Sequence, residues 1–294
     1  MLSSLLAAAL AFTPADASVA YGAAKGLVDG FTPRDAGTAR AHLAANYILD
    51  SASAAGADVR IDRFSDDTPC GKRQFWNLSA EFAANPTNGW TVLVSHYDTK
   101  PGSGCPGAND GASTSGLLVA LAGSLSRCAR EGNPGLPRNV MLLWTDGEEC
   151  IKSYGGNDGL WGSRHAAEAF SAEGRRIDAV VCLDMLGDAD LGAVVPRNST
   201  PSLRRDILAA ARRAGLSGKV SESDLLVKDD HVPFLRKGFP AADVIDFAYG
   251  GEPGQGGWWH TPEDTMDKVS EKSLLDAGRL VVEFIRGGDG RAPR

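Results

Sequence analysis

The sequence predicts an α/β fold, with one central mixed, mostly parallel twisted sheet flanked by helices on both faces. Three observations predict it. The apolar run at 140–144 and the short segments at 91–95 and 179–183, apolar at their centres, read as buried strands of a parallel or mixed sheet. Leu- and Ala-rich segments at helical spacing separate these runs, so strands and helices alternate and the sheet is covered on both faces. Residues of metal-ligand type recur where the strands end: His96, Glu148 with Glu149, and Asp184. In open α/β sheets, sites form in the crevice outside the carboxyl ends of the strands.

The elements follow in order. Residues 36–55 carry apolar positions at helical spacing and stop at Gly56, a helix-ending signal. Residues 58–64 and 74–82 alternate as strands around a loop at Cys70-Gly71. The strand 91–95 ends in His96-Tyr97-Asp98. The loop 101–109 leads to Asp110, and 113–130 is a helix. The strand 140–144 ends in Asp146-Gly147-Glu148-Glu149, and a Gly-rich stretch, 154–159, precedes a helix over 163–173. The strand 179–183 ends at Asp184, and 201–214 is helical. Asp229-Asp230-His231 opens a short helix over 232–237, where an acid suits the helix N-terminus. The last strand is 242–249, followed by a flexible loop at 250–257 that Trp258-Trp259-His260-Thr261 closes. Residues 271–286 form the C-terminal helix.

The chain has 294 residues, 43% hydrophobic and 23% charged, a balance that can bury a sizeable core. No Pro/Ser linker or charge block divides it, so a single domain over 18–288 is expected, with a disordered tail at 289–294. The net charge of -7 gives no electrostatic footprint for nucleic acid. Residues 1–17 read as a targeting segment: 2–12 are apolar, and Ala15-Asp16-Ala17 offers a small-x-small cleavage site, although a basic start is missing. No apolar run is long enough to span a bilayer, so a secreted or periplasmic monomer is expected. The five cysteines show no CxxC spacing, which argues against a thiolate zinc site. Cys70 and Cys105 lie in Gly/Pro-rich loops and could pair, while Cys182 reads as a small core residue.

Three carboxylates in four residues, Asp146 to Glu149, repel one another at a strand end. They are tolerated if a cation sits among them or if one holds a proton; the other reading is a solvated acidic turn. Adjacent side chains of an extended loop point opposite ways, so Glu149 could ligate a metal while Glu148 faces a substrate as general base. Asp110, Glu149 and His260 would give one zinc an oxygen, oxygen, nitrogen set with an open position, the pattern of a catalytic site. His96 and Asp184 could complete a second metal site with Asp110 bridging, or could orient ligands and substrate. Asp110 could equally be a helix N-cap and Asp184 a turn residue. Trp258 and Trp259, in Gly-rich surroundings, favour a pocket rim.

Taken together, His96-Tyr97-Asp98-Thr99, Gly107-Ala108-Asn109-Asp110, Asp146 to Glu149, Leu183-Asp184 and Trp259-His260-Thr261 resemble the co-catalytic zinc aminopeptidase family, in the same order and over roughly 32–286. Within it, several features look more like the glutaminyl-peptide cyclotransferases. An insertion at 150–161, with Asp158 and Leu160-Trp161, precedes Gly162-Ser163-Arg164-His165. Asp229-Asp230-His231-Val232-Pro233-Phe234 and the Trp259-His260 pair also resemble that family. The resemblance implies a single zinc on Asp110, Glu149 and His260, with Glu148 as general base and acid. It implies that Asp184 and Asp229 form a proton network, that Trp259 is an aromatic wall and that Tyr249 lies near a second aromatic position. The implied reaction converts an N-terminal glutamine of a peptide or protein to pyroglutamate with release of ammonia; a dinuclear aminopeptidase is the alternative. Departures from the animal members are Tyr154, where they carry a tryptophan, and Asp243, where they carry a histidine. Their disulfide positions fall on Ser95 and Ser115, and the 250–257 loop is longer.

Overall fold

In the computed structural model, residues 10–85, 87–130, 136–251 and 257–287 are described. The strands are β1 (Val59–Thr68), β2 (Gly71–Phe82), β3 (Trp90–His96), β4 (Asn139–Thr145), β5 (Ile177–Asp184), β6 (Ala193–Val195), β7 (Val220–Glu222) and β8 (Ala241–Ile245). They form one sheet in the order β1-β2-β4-β3-β5-β8-β6-β7. The centre, β4-β3-β5-β8, is parallel. The β1–β2 hairpin adds to it antiparallel, which makes β1 the edge. This is the mixed, mostly parallel sheet expected from the apolar runs, and β4 is buried along its whole length.

The helices are α1 (Pro14–Phe31), α2 (Ala39–Ala54), α3 (Thr114–Arg130), α4 (Trp161–Ala172), α5 (Pro201–Arg213), α6 (His231–Arg236) and α7 (Glu271–Arg286). Strand alternation divides the core between two faces. Leu93, Leu142 and Val181 meet Leu117, Ile207 and Leu280 on the face of α1, α2, α3, α5 and α7. Val92, Val94 and Leu143 meet Ala166, Phe170 and Phe234 on the face of α4 and α6.

Residues ahead of the expected domain start at 18 pack against the core. Leu10 and Phe12 are buried in the core, and Phe12 packs flat on Gly278, where a Cβ would come within 2.2 Å of its ring. Thr13 caps α1 in a reciprocal box with Asp16: the Thr13 N–H donates to Asp16 at 2.8 Å and the Asp16 N–H to Thr13 Oγ1 at 3.3 Å. Asp16 also takes Arg127 at 2.6 Å. Ala15-Asp16-Ala17 lie in the first turn of α1, and a cut after Ala17 would remove this cap. The remainder of the expected targeting run (1–9), the tail (289–294) and most of the 250–257 loop lie outside the described residues. Among the described residues, no helix is long and apolar enough to cross a membrane.

Other expectations shift locally. Strands β1 and β2 meet through a two-residue turn, Pro69-Cys70, rather than a long loop. Cys70 lies exposed at that tip while Cys105 is buried, and neither is in a disulfide. Strand β8 stops at Ile245, short of Tyr249, because the Asp246 carboxylate accepts the N–H groups of Gly192 and Ala248 at 2.8 and 3.3 Å and turns the chain. The three-residue strands β6 and β7 have no signal in the apolar pattern.

Candidate active site

The carboxyl ends of β3, β4 and β5 lie side by side, so His96, the Asp146 to Glu149 loop and Asp184 reach one crevice. One aspartate, Asp98, holds the acidic loop in place. Its Oδ1 accepts the N–H groups of Gly147 and Glu148 at 2.9 and 3.1 Å, and its Oδ2 accepts that of Glu149 at 3.1 Å. The same carboxylate stands 3.5 Å from His96 Nδ1. Asp110 is set by a wound turn, Ala108–Ser113, in which Gly111 has a φ of 95°. A Cβ on Gly111 would sit 3.0 Å from the Asp98 carbonyl oxygen and from the His96 ring, so only glycine fits. Asp264 accepts the N–H groups of Asn109 and Asp110 at 2.7 and 3.2 Å, which turns the Asp110 carboxylate inward.

Three side chains then converge. His260 Nε2 lies 2.7 Å from Glu149 Oε1 and 3.4 Å from Asp110 Oδ2. Donor atoms of Asp110, Glu149 and His260 all fall within 4.8 Å of one another, as do those of His96, Asp110 and Asp184. His96 Nε2 is 3.2 Å from Asp110 Oδ1 and 3.3 Å from Asp184 Oδ1. The Asp110, Glu149 and His260 set fits a divalent cation of the zinc class. Two carboxylates and one imidazole converge there, the oxygen and nitrogen donor set that such a cation takes. Glu148, Asp184 and Asp229 add further buried carboxylates within the same crevice. So many negative groups away from water require either a cation or bound protons.

Burial and neighbouring charges divide that load among these groups. Asp110 stays ionised: burial opposes it, but the His96 hydrogen bond and the two imidazoles hold it down at about 2. Burial pushes Asp184 up to about 6 against its His96 contact. Burial, together with the Asp184 charge, takes Asp229 to about 7. Burial raises Glu148 well above the usual carboxylate range, helped by the charges of Glu149 and Asp229. A carboxyl that can hold a proton near neutrality suits general acid and base work.

These groups form the floor of a cavity of about 270 Å³. Trp259, Phe247, Ile245, Met185 and Val227 make its apolar walls, and Leu226 and Lys228 complete the lining. Trp259 stacks on Phe247 with ring centroids 5.5 Å apart, and its buried indole N–H has no partner. Tyr154 donates its hydroxyl to Glu148 at 2.8 and 3.0 Å. Lys100 Nζ contacts Glu149 Oε2 at 3.2 Å.

Of the expected site residues, Asp110, Glu148, Glu149, Asp184, Asp229, Trp259 and His260 line this one cavity, and His96 lies directly behind it. Tyr249 does not. It is fully buried behind the site, where its hydroxyl donates to Asp264 at 2.8 Å, and Phe247 takes the wall position. Strand β8 ends early at Ile245, and the turn at Asp246 carries Tyr249 away from the position that the resemblance implied for it. Asp98, Asp264 and the Tyr154 contact were not anticipated. Asp98 follows His96 by two residues and Asp264 follows His260 by four, and acids so close to candidate ligands were the available signal.

The profile of Peptidase family M28 matches residues 77–285. The chain is similar to a glutaminyl-peptide cyclotransferase of Drosophila melanogaster, with 31% identity over 86% of this chain and 76% of that one. It is also 31% identical to a glutaminyl-peptide cyclotransferase-like protein of Mus musculus, over 79% of this chain and 65% of that one. Among solved structures, a glutaminyl cyclase of an Acidobacteriales bacterium superposes with a TM-score of 0.84 and 33% identity, covering 97% of this chain and 98% of that one.

Proposed function

The chain belongs to Peptidase family M28, and from that premise we propose that it is a zinc-dependent glutaminyl-peptide cyclotransferase. It converts the N-terminal glutamine of a peptide or protein to pyroglutamate and releases ammonia. The observation that carries this reading is the convergence of Asp110, Glu149 and His260 beside Glu148 on the floor of one small, apolar-walled cavity. The similarity to named cyclotransferases selects this reaction among those such a floor can support.

Asp110, Glu149 and His260 would hold the zinc. When bound, it supplies polarisation of the glutamine γ-carbonyl and compensation for the charge that develops on its oxygen. The protein does the rest. The cavity folds the glutamine side chain back so that its own α-amine meets its γ-carbon, and this positioning replaces a bimolecular encounter. Glu148 takes a proton from the attacking amine and gives it to the departing nitrogen, which leaves as ammonia. Asp184 and Asp229, raised toward neutrality, share protons behind Glu148. Trp259 and Phe247 flank the side chain and keep water from competing with the internal amine. Export to the periplasm or cell exterior belongs to the same reading, supported by the apolar run at 2–12.

The intact His96, Asp110 and Asp184 group favours a second reading, a dinuclear aminopeptidase with Glu148 as base. Zinc-loaded protein is tested on a Gln-initiated dipeptide, with ammonia followed, and on a Leu-initiated anilide, with absorbance followed. Metal content is read on the same sample. Ammonia, no anilide cleavage and one zinc per chain support the cyclase. Leucine release with two zincs per chain overturns it.

A further inference from the structure

We propose that Tyr154 is a positioning residue for Glu148, its hydroxyl fixing the direction in which that carboxylate faces the substrate. The inference rests on Glu148 being the proton carrier of the cyclase reading. The Tyr154 hydroxyl lies 2.8 Å from one Glu148 oxygen and 3.0 Å from the other, so one donor spans the carboxylate, and it stands 3.3 Å from Glu149 Oε2. The ring lines the cavity, with Lys100 Nζ 5.3 Å from its centroid on the side of Glu149.

The insertion at 150–161 is built to deliver this one hydroxyl. Asp158 gathers its first half, accepting the N–H groups of Ile151, Lys152 and Ser153 at 2.6, 2.8 and 2.9 Å. Gly159, with a φ of 80°, passes under the tyrosine ring, where a Cβ would meet Tyr154 Cδ1 at 2.8 Å. The loop then returns to the segment it left: the N–H groups of Leu160 and Trp161 donate to the carbonyls of Glu148 and Gly147 at 2.9 and 2.8 Å. The loop is therefore sewn at both ends to the acidic turn, and Tyr154 closes the third side through Glu148 itself.

The chemistry explains why such a clamp is useful. Glu148 must accept a proton from one substrate nitrogen and deliver it to another without leaving the cavity. A carboxylate free to rotate would meet both nitrogens in few of its orientations. The phenol keeps its own proton throughout: the proton that moves passes from the substrate amine to Glu148 and then to the departing nitrogen.

Tyr154→Phe tests this, because it removes the hydroxyl and keeps the ring. With the Gln-initiated dipeptide, kcat is expected to fall about 10- to 100-fold, the loss of one hydrogen bond to a charged group. KM stays within about twofold and zinc per chain is unchanged, as uniform loss of binding or of the ligand set would not allow. The solvent isotope effect on kcat rises, since proton transfer through a loosened Glu148 becomes limiting. A Phe variant with kcat within about twofold of wild type overturns the proposal, as does one whose KM rises in step or whose zinc is lost. Wild-type protein that releases leucine and no ammonia defeats the cyclase reading instead. The same Phe comparison on the anilide then decides the role of the hydroxyl separately.

Discussion

Asp98 Oδ2 accepts the backbone N–H of Glu149 at 3.1 Å, so a side chain just past the end of β3 fixes the main chain that carries a proposed zinc donor after β4. The other Asp98 oxygen takes the two preceding N–H groups. Asp98→Ala leaves three buried donors without acceptors, each costing about 1–3 kcal/mol. A loss of about 3 kcal/mol or more is expected in urea unfolding of the metal-free protein. Zinc affinity should fall about 10- to 100-fold in chelator competition, as for other supports of ligating groups. Unchanged affinity would mean that the loop holds its shape without Asp98.

Glu148→Gln preserves size and keeps an acceptor for Tyr154, but cannot carry a proton. Activity should fall by about 10² or more while zinc content and fold stay as in wild type. A steady-state assay beside metal analysis checks it; full activity with zinc present would remove Glu148 from the mechanism.

His231 opens α6 beneath the site, fully buried, with its Nε2 3.0 Å from Asn198 Nδ2. The amide nitrogen can only donate, so the imidazole must accept, and protonation breaks the contact. Burial pushes this histidine down to about 3 from 6.5. The folded value lies below the unfolded one, so its contribution is fully present above pH 6.5 and is lost as pH falls toward 3. The slope is at most about 1.4 kcal/mol per pH unit. Wild-type protein should lose about 2 kcal/mol from this group between pH 7 and 5. In urea titrations, His231→Gln should lack that component. Equal losses in both proteins would show that other groups set the acid limit.

Phe12 tests where the folded domain begins. Its ring fills the space above Gly278, so Phe12→Ala should open a cavity and cost about 3–5 kcal/mol. Thermal and urea unfolding would report it. A change under about 1 kcal/mol would mean that the segment ahead of α1 contributes little.

Much of this was legible because burial on both faces leaves a plain trace. The runs at β3, β4 and β5 are apolar at their centres, and the polar residue that ends each one marks the crevice. Helix α1 was not legible. Its buried face is made mostly of alanines, Ala17, Ala20, Ala23 and Ala24, which contrast little with their surroundings and follow an apolar run that reads as a targeting segment. Asp98 and Asp264 were missed for a different reason. Their work is to accept backbone N–H groups from distant segments, and no spacing in the sequence encodes which main chain will arrive there. Tyr249 was expected near the wall from the resemblance, and the turn that Asp246 makes after Ile245 places Phe247 there instead.

The exposed border strand β1 carries a second consequence. An unpaired strand edge invites another chain to add to it, the first step toward fibrous association. Here that edge bears Arg60, Asp62, Arg63, Asp66 and Asp67. A second copy laid alongside would have to strip water from these charges and bring some of like sign face to face. The molecule should therefore tolerate crowding at this border, and replacing these five side chains with valine or threonine would turn it into a seed for precipitation.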